Sequence, residues 1–428
     1  MNIKWELCVC LLSSVSSWAA SQTIVEKAIN LKEIRSLVQQ NRSIIIQNLH
    51  QQVVTETLKQ GKTDLLPNVT LGGDGYFKNV SPLHSSVASD NSLFYHFNIT
   101  SEFDLYTGGR RAHAIARLKK EQEMSEEELK RTQQEIELQA YILLYDIHRN
   151  IKYRDFLRSS IYLRKKEYER INNLYRNGVV LKSDLLRAKL YITNLQKDEV
   201  TICNSIEILS DQFRTLLAID EYTFIYPDMQ NDLHFKLDES FESLYQYALQ
   251  YSPMLKIHRI QKEHAETKLK EICSAQLPHL KLYAQYGVGS PLQPKTYDHQ
   301  LGGEFGAKVS FSLSSLYHTK HQKKAQKHRI QQAQWHQNDE EEKLRCRMYE
   351  LFTRYHESLV NIDRALAKIE MSNESNRILK NSYFNQQTLL IDVLESETQA
   401  MEASFEWVEA VVDSQKYYWA LQQICGRL

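Results

Sequence analysis

The polar residues whose spacing could do chemistry lie in two similar stretches, YRNGVVLKSDLL at 175–186 and YFNQQTLLIDVL at 383–394. Matching residues, such as Asp184 and Asp392, are 208 positions apart, which is close to half the chain. Hydroxyl and carboxylate groups there can accept hydrogen bonds from backbone N–H groups or present charge to ions. The candidate residues in or directly after these stretches are Ser183, Asp184, Tyr383, Asp392 and Glu395.

Capping of helices is the simplest role for these side chains. Ser183 or Asp184 is suited to the N-cap of the helix that begins LLRAKL. Asp392, with Glu395 three residues later, fits a capping box, which is worth roughly 1 kcal/mol of helix stability. A carboxylate that caps a helix can also face a pore, so both roles stay open.

Enzyme active-site motifs are missing from the sequence. It lacks GxSxG, HExxH and P-loop motifs, and no GxGxxG stands between a strand and a helix. We therefore expect neither catalysis nor a cofactor. The 53 basic and 53 acidic residues balance, so no net charge attracts nucleic acid. His318 and His321 could share a metal ion, but without a cysteine or carboxylate in a tight motif we interpret both as solvated side chains.

The elements that position the two stretches follow the order helix, strand, strand, helix, helix. Only 13 Gly and 7 Pro interrupt the chain, so long helices are expected. Hydrophobic spacing predicts a helix from Thr23 to about Lys62, and aromatic and β-branched residues predict strands at 69–77 and 93–103. A helix from 109 to about Leu174 follows, and another runs from Asp184 to about Leu217.

The second half restarts this order. We expect a helix at 240–275, strands within SAQLPHLKLYAQYG and GAKVSFSLSSLYH, and a helix from about Tyr317 to Ser382. The sequence thus predicts a mainly α fold with a small β part and an internal duplication. Its domains are a first repeat at 20–217 with a β-hairpin at about 68–106, a connector at 218–239, and a second repeat at 240–428 with a β-hairpin at about 278–314.

The first residues have the pattern of an export signal. Lys4 precedes a short apolar stretch, and Ser17-Trp18-Ala19 fits the rule for cleavage, so we expect a signal peptide at 1–19. No later stretch reaches about 18 apolar residues, and no transmembrane helix is expected. Each predicted strand is long enough to cross a bilayer when tilted. Because four strands leave open edges, which lipid does not tolerate, a membrane role demands oligomerisation, and three chains would supply twelve strands.

Several motifs recur at matching places in the two halves. LLPNVTL and QLPHLKL lie where the first strand of each half begins, FDLYTGGRRAHAIARLKKEQE follows a second strand, and SDLLRAKL and IDVLESETQA begin helices. In order, spacing and duplication, these motifs resemble the TolC-like outer-membrane efflux proteins, the outer-membrane factor family. The resemblance spans nearly the whole mature chain, from about Ile34 to Leu421.

This resemblance implies a homotrimer that forms a 12-stranded outer-membrane β-barrel joined to a long periplasmic α-helical barrel. It implies a passive exit duct, without enzyme activity, of a tripartite efflux or type I secretion system in a Gram-negative bacterium. The implied partners are a periplasmic adaptor (membrane fusion) protein, an inner-membrane transporter of RND, ABC or MFS type, and outer-membrane lipid. Helices of roughly 65 residues, about 100 Å long at 1.5 Å per residue, would suit a tunnel across the periplasm.

In the family, helix-helix turns at the periplasmic tip form a gate, and the resemblance implies that the two stretches are these turns. It assigns Asp392 and Glu395 to acidic rings that narrow the entrance. It assigns tethering contacts to Tyr383 on the second turn and to Asp184 with Ser183 on the first.

Two departures from the family pattern concern these turns. Thr388 stands where some members have a tethering arginine, so we expect that salt bridge to be missing. The turn glycine is kept as Gly178 in the first stretch but is replaced by Gln386 in the second. We therefore expect the second turn to be the moving part of the gate.

The alternative to a channel is an exported coiled-coil scaffold or tether in the periplasm, without a pore. Long amphipathic helices are common in such proteins, but a scaffold would not explain four strands in two separated pairs. Detergent-resistant trimers in the outer-membrane fraction would support the channel. A soluble periplasmic dimer would support the scaffold.

We predict that replacing Asp392 and Glu395 together by alanine alters single-channel conductance or cation preference. The physical reason is that a ring of carboxylates attracts cations to a narrow entrance. Planar-bilayer recording of the double variant beside the wild type measures both quantities. Unchanged conductance and selectivity would remove these residues from the ring.

Overall fold

The computed structural model describes residues 25–80, 90–219, 223–229, 235–289 and 300–428. The expected signal peptide at 1–19 lies outside these residues. Helices dominate, and two of them exceed 60 residues, so the predicted mainly α fold with a small β part is confirmed. In chain order the elements are β1 Val25–Ile29, α1 Leu31–Val38, α2 Arg42–Thr63, β2 Asn68–Val80, β3 Asp90–Tyr106, α3 Arg110–Arg176, α4 Lys182–Leu217, β4 Thr223–Pro227, α5 Phe241–Tyr251, α6 Pro253–Ser274, β5 His279–Gly289, β6 Gln300–Ser310, α7 Ser315–Phe384 and α8 Leu390–Ile424.

The two longest helices, α3 and α7, contain 67 and 70 residues. Neither contains a proline or a glycine, so nothing in their sequences breaks the hydrogen-bond ladder. Ion pairs one turn apart on the same helix, such as Arg117 with Glu121 at 2.6 Å, support their surfaces. Both lie where the sequence predicted them, within a few residues at each end.

The prediction of one continuous helix from Thr23 to Lys62 is wrong in its first part. The chain forms strand β1 and then two helices, which are separated at Gln39–Asn41. Asparagines cap both helices, since the side chain of Asn30 accepts from the N–H of Glu33 at 3.0 Å and that of Asn41 accepts from the N–H of Ser43 at 2.7 Å. Local capping therefore divides a segment whose hydrophobic pattern alone is continuous.

The helix expected at 240–275 is also divided, because Pro253 follows Ser252. Proline lacks a backbone N–H and disfavours a helical conformation in the residue before it. Ser252 accordingly leaves the helical region, with φ −56° and ψ 122°. The connector at 218–239 contains strand β4, which pairs in parallel with β1, and the sequence did not predict this pair.

The four remaining strands form one antiparallel sheet in the order β2-β3-β5-β6. The central contact is between β3 and β5, which come from the two halves of the chain. Strands β2 and β6 form the two edges of this sheet. Strand β6 extends from Gln300 to Ser310, so it begins before the predicted GAKVSFSLSSLYH segment and ends before the predicted hairpin boundary at 314.

The chain divides into two compact units. The first contains the described residues up to Ile46, Lys130–Ser252 and Lys343–Leu428, and the second contains Gln47–Leu129 and Pro253–Glu342. Large, fully buried side chains lie in the first unit, among them Tyr145, Phe213 and Tyr355. The second unit holds the four-stranded sheet and leaves many apolar side chains exposed. No helix within the described part of the chain is both long enough and apolar enough to cross a membrane.

Candidate functional site: the four-stranded sheet and the helix turns

One face of the four-stranded sheet is apolar on every strand. Residues opposite one another in the antiparallel register point to the same face, and Leu71, Ile99 and Tyr286 are aligned in this way. We call this surface the apolar sheet face. Its members include Val69, Leu71, Phe77, Phe97, Ile99, Phe103, Leu282, Ala284, Tyr286, Leu301, Phe305 and Val309.

The apolar sheet face is exposed in the single chain. Phe305 is 91% exposed, and Leu71 and Phe77 are each 81% exposed. A contiguous apolar surface of this kind on a soluble monomer is unusual and marks contact with a partner or a membrane. Whatever covers this face must therefore be apolar and must reach all four strands.

The opposite face of the sheet carries polar and charged side chains. Lys281 on β5 forms an ion pair with Glu102 on β3 at 2.8 Å and lies 3.9 Å from Asp104. Asp104 also pairs with Arg111 at 2.7 Å, at the start of α3. These charged groups are partly exposed, so this polar sheet face is suited to contact with water.

The junction between β3 and α3 uses two glycines. Gly108 and Gly109 have φ values of +61° and +81°, which are unfavourable for other residues. A Cβ atom at Gly108 would lie 2.7 Å from the carbonyl oxygen of Ser274. The glycines in FDLYTGG therefore let the chain turn from the sheet into a long helix while it approaches the end of α6.

The two similar stretches of the sequence come together within the first unit. Ile171, Ala188, Tyr383, Leu390 and Val393 form one buried cluster, to which α3, α4, α7 and α8 all contribute. We call this the turn cluster. Apolar packing thus holds the turn between α3 and α4 against the turn between α7 and α8.

Tyr383, a predicted tether, is a member of the turn cluster and is only 7% exposed. Burial, with a smaller contribution from the negative charge of Asp184, raises the pKa of the Tyr383 hydroxyl. That hydroxyl makes no hydrogen bond to any described residue. The charge of Asp184 therefore acts on Tyr383, but the hydrogen bond expected of a tether is not formed.

The predicted capping roles need correction. Leu181 and Leu389 occupy the N-cap positions of α4 and α8, and neither Ser183 nor Asp184 does. Asp392 lies at the third helical position, where its carboxylate accepts a hydrogen bond from the N–H of Leu389 at 3.2 Å. Asp392 thus makes one of the two hydrogen bonds of a capping box. The other is not formed, because the side chain of Leu389 has no acceptor.

The remaining predicted residues lie at the surface or edge of the turns. Ser183, Asp392 and Glu395 are exposed, whereas Asp184 and Thr388 are half-buried. The Oγ1 atom of Thr388 is buried and has no hydrogen-bond partner among the described residues. The exposed carboxylates of Asp392 and Glu395 are available to ions or to another chain.

Both turns place one residue in the left-handed region. Gly178 has a φ of +74° and Gln386 has a φ of +61°. The N–H of the following residue closes each turn, from Val179 to Leu174 O at 2.9 Å and from Gln387 to Ser382 O at 2.8 Å. The two turns therefore share one backbone geometry, although only the first has the glycine that suits it.

A buried group of charges near the turns was missed by sequence reasoning. Arg164 on α3 contacts both Glu167 and Glu397, and it is 8% exposed, while Glu397 is 4% exposed. Lys380 on α7 lies 2.6 Å from Glu167 and 3.1 Å from Glu397. We call these four residues the charge network. It connects α3, α7 and α8 with two positive and two negative groups.

No sequence signal identified the charge network. Arg164 and Glu397 are 233 positions apart, and each lies among other charged residues of a long helix. Such residues are usually solvated, so only the tertiary structure distinguishes them. Among the described residues, no group of three or more histidine, cysteine or acidic side chains could hold a metal ion.

Comparison with known proteins gives matches to solved structures only. No protein-family model matches the chain. No curated protein matches it at a significant level. The outer membrane protein VceC from Vibrio cholerae superposes with a TM-score of 0.77 and 15% identity, over 92% of this chain and 96% of VceC.

Two further solved structures are similar. CusC, whose structures describe transmembrane channel formation, matches with a TM-score of 0.82 and 12% identity, over 96% of this chain and 95% of CusC. The open state of the Neisseria gonorrhoeae outer membrane channel MtrE matches with a TM-score of 0.75 and 15% identity, over 92% of this chain and 88% of MtrE. The chain therefore has the fold of outer-membrane channels of the TolC type, and the resemblance stated from the sequence is confirmed for the fold.

We predict that Gln386→Gly stabilises the second turn. A left-handed conformation costs a non-glycine residue roughly 1 kcal/mol, so amide hydrogen exchange at residues 383–390 is expected to slow about fivefold. Gly178→Gln is the matched control, because a Cβ atom there meets no heavy atom within 4 Å and tests backbone strain alone. It is expected to speed exchange in the first turn. Faster exchange in Gln386→Gly would show that the side chain of Gln386 stabilises the turn.

We predict that Glu397→Ala destabilises the protein by roughly 3–5 kcal/mol, because it removes a buried negative charge from the charge network and leaves Glu167 to pair with both Arg164 and Lys380. The matched control is Glu406→Ala, which removes an exposed α7–α8 ion pair with Lys368 and is expected to cost about 1 kcal/mol or less. Thermal unfolding of the purified variants in detergent measures both. Equal losses of stability in the two variants would show that the buried ion pairs of Glu397 stabilise the protein no more than an exposed ion pair does.

Proposed function

We propose that this protein is an outer-membrane channel, which acts as the passive exit duct of a tripartite efflux or type I secretion system. In this proposal three copies associate, and their sheets close into a 12-stranded β-barrel. The long helices continue the duct as an α-helical barrel in the periplasm of a Gram-negative bacterium. The protein conducts substrates and performs no covalent chemistry.

The observation that carries the proposal is the exposed apolar sheet face. Hydrocarbon is the environment in which such a surface is stable, and the polar sheet face then lines a water-filled interior. The shorter strands β5 and β6 each contain 11 residues, a length that spans the hydrocarbon layer when the strands tilt. Because an open strand edge is not tolerated in lipid, β2 of one copy and β6 of the next would have to pair.

The long helices support a duct that extends beyond the membrane. A helix of 67 residues reaches about 100 Å at 1.5 Å per residue. We propose that α3, α4, α7 and α8 line this periplasmic part. We further propose that the chain arose by duplication, with repeats at 20–217 and 240–428 separated by the connector at 218–239.

The two turns are the proposed gate at the periplasmic end. Two observations support this assignment. Both turns pack together in the turn cluster, and the carboxylates of Asp392 and Glu395 stay exposed. Three copies of these carboxylates would form a ring that favours cations. Tyr383 and Asp184 are the proposed tethering pair, whose hydrogen bond would form on rearrangement of the turns. The similar MtrE structure is an open state of that channel, which supports the view that this fold has more than one state.

The proposed partners follow from a duct that ends in the periplasm. An inner-membrane transporter of RND, ABC or MFS type would supply both the substrate and the energy. A periplasmic adaptor protein would join that transporter to the helical part of the duct.

We predict that Ile99→Lys and Thr100→Lys have different effects, although they alter adjacent residues on β3. Ile99→Lys places a charge on the apolar sheet face, where it costs roughly 2–4 kcal/mol in lipid, so less protein reaches the outer-membrane fraction. Thr100→Lys alters the polar sheet face, so the protein is inserted and its pore becomes less selective for cations. Membrane fractionation and planar-bilayer recording measure these outcomes.

The proposal fails if the wild-type protein does not increase bilayer conductance or is recovered only in the soluble periplasmic fraction. Recovery as a soluble dimer would instead support the non-pore scaffold. Equal membrane insertion of the Ile99→Lys and Thr100→Lys variants would show that the apolar sheet face does not contact lipid.

A further inference from the structure

Three lysines form an exposed row at the start of α7. Lys320, Lys324 and Lys327 follow one another at intervals of four and three residues, which places them on one side of a helix. All three side chains are exposed. We call this row the basic face of α7.

Contacts on a neighbouring side of α7 fix the direction of the basic face. Thr319 Oγ1 accepts a hydrogen bond from the side chain of Gln276 at 2.6 Å. Gln326 donates to the carbonyl oxygen of Ala265 on α6 at 2.8 Å, and Lys323 donates to the side chain of Gln276. Thr319, Lys323 and Gln326 face α6 and the segment after it, and at 3.6 residues per turn the basic face lies about a quarter turn around α7 from that contact.

The lysines of the basic face have no ion-pair partner among the residues that the structure describes. The sequence has no aspartate or glutamate between Glu304 and Asp339, so no acidic neighbour along the chain compensates them. A row of uncompensated positive charges attracts anions at short range.

The corresponding segment at the start of α3 differs. Three of the five basic residues at 110–120 are neutralised within the unit, since Arg111 pairs with Asp104 at 2.7 Å, Arg117 pairs with Glu271 at 3.1 Å, and Lys120 pairs with Glu263 at 2.9 Å. The other two, Arg110 and Lys119, are exposed but nine positions apart, which places them on opposite sides of the helix. Both α3 and α7 follow a strand of the same sheet. The start of α3 therefore has no row of unpaired basic residues on one side, whereas the start of α7 does.

The basic face directly follows a stretch of exposed apolar and aromatic residues. Val309 ends the apolar sheet face on β6, and it is followed by Phe311, Leu313, Leu316 and Tyr317, all of which are exposed. Apolar, aromatic and then basic residues are the order found where a segment leaves a membrane. Lys320 lies about 8 Å along α7 from its first residue, and Lys327 lies about 18 Å along it.

We propose that the basic face of α7 binds the anionic headgroups of phospholipids in the leaflet from which β6 emerges. This inference rests on the proposed membrane insertion of the sheet. Lysine side chains can extend toward the bilayer surface, so that Lys320 and Lys324 reach headgroup phosphates. Lys327 lies about one Debye length farther out, where it still contributes attraction. Lipid is favoured over a protein partner because the charge directly adjoins the apolar sheet face.

The test uses the purified full chain in neutral detergent, titrated with dioctanoyl phosphatidylglycerol or with dioctanoyl phosphatidylcholine. Native mass spectrometry counts the lipids bound to the protein. We expect the anionic lipid to bind at least tenfold more tightly at low salt, because each lysine near the headgroups contributes about fivefold. Added salt is expected to weaken this preference.

The variant Lys320→Gln/Lys324→Gln/Lys327→Gln is expected to lose the preference for phosphatidylglycerol. Its matched control is Lys182→Gln/Lys189→Gln/Lys197→Gln, which removes the same charge from exposed positions on α4 and is expected to keep the preference. A wild type that binds both lipids equally would overturn the inference. So would a triple variant of α7 that keeps the preference, or one that loses subunit association without any change in lipid binding.

Failure of this inference is distinguishable from failure of the proposed function. A protein that conducts in planar bilayers but shows no preference for anionic lipid is a channel without this lipid site. A protein that prefers anionic lipid in detergent but conducts no ions retains the site and is not a channel.

Discussion

The unsatisfied backbone at the edges of the four-stranded sheet is the constraint on which the rest of the structure depends. Strands β2 and β6 each have one edge whose N–H and C=O groups have no partner strand within the described part of the chain. In water these groups would bond to solvent, but in the proposed channel the apolar sheet face lies in lipid. Since lipid offers no hydrogen bonds, the sheet can be stable there only when copies of it close into a barrel. In the proposed channel, oligomerisation therefore satisfies the strand edges of the backbone as well as the apolar side chains.

The two units differ in where their apolar side chains lie. The first unit buries tyrosine, phenylalanine and leucine side chains among its helices, and it also contains the turn cluster and the charge network. The second unit presents its apolar side chains outward, so its stability depends on what surrounds it. Arg164 and Glu397 are buried only because Glu167 and Lys380 lie beside them, since an unpaired charge at that depth would be costly.

Long-range periodicity made most of the fold predictable from the sequence. Helices α3 and α7 and the four long strands are specified by patterns that extend over many residues, and all are present. Short elements were predicted poorly. Strand β1 has five residues and pairs with β4, almost 200 positions away, so no local pattern indicates it. Single residues, Asn41 and Pro253, divide two segments that were predicted as continuous helices. The spacing of hydrophobic residues over many positions does not reveal such a division.

The site was predictable only in part, for a similar reason. The resemblance of the two stretches identified both turns, and the structure packs them together. Capping was misassigned because serine and aspartate favour N-caps in general, whereas here leucines occupy those positions. The charge network could not be predicted, because its members look like solvated residues until the helices are assembled. The gate roles of Asp392 and Glu395 stay predictions.

The mass of the detergent-solubilised protein tests the central claim most directly, because the claim requires a fixed number of sheets to close one barrel. Native mass spectrometry or light scattering of the purified protein gives the number of chains in the assembly. The account predicts three chains, whose four strands each complete a barrel of twelve. A stable single chain that remains folded in detergent would contradict it, as would an assembly of two.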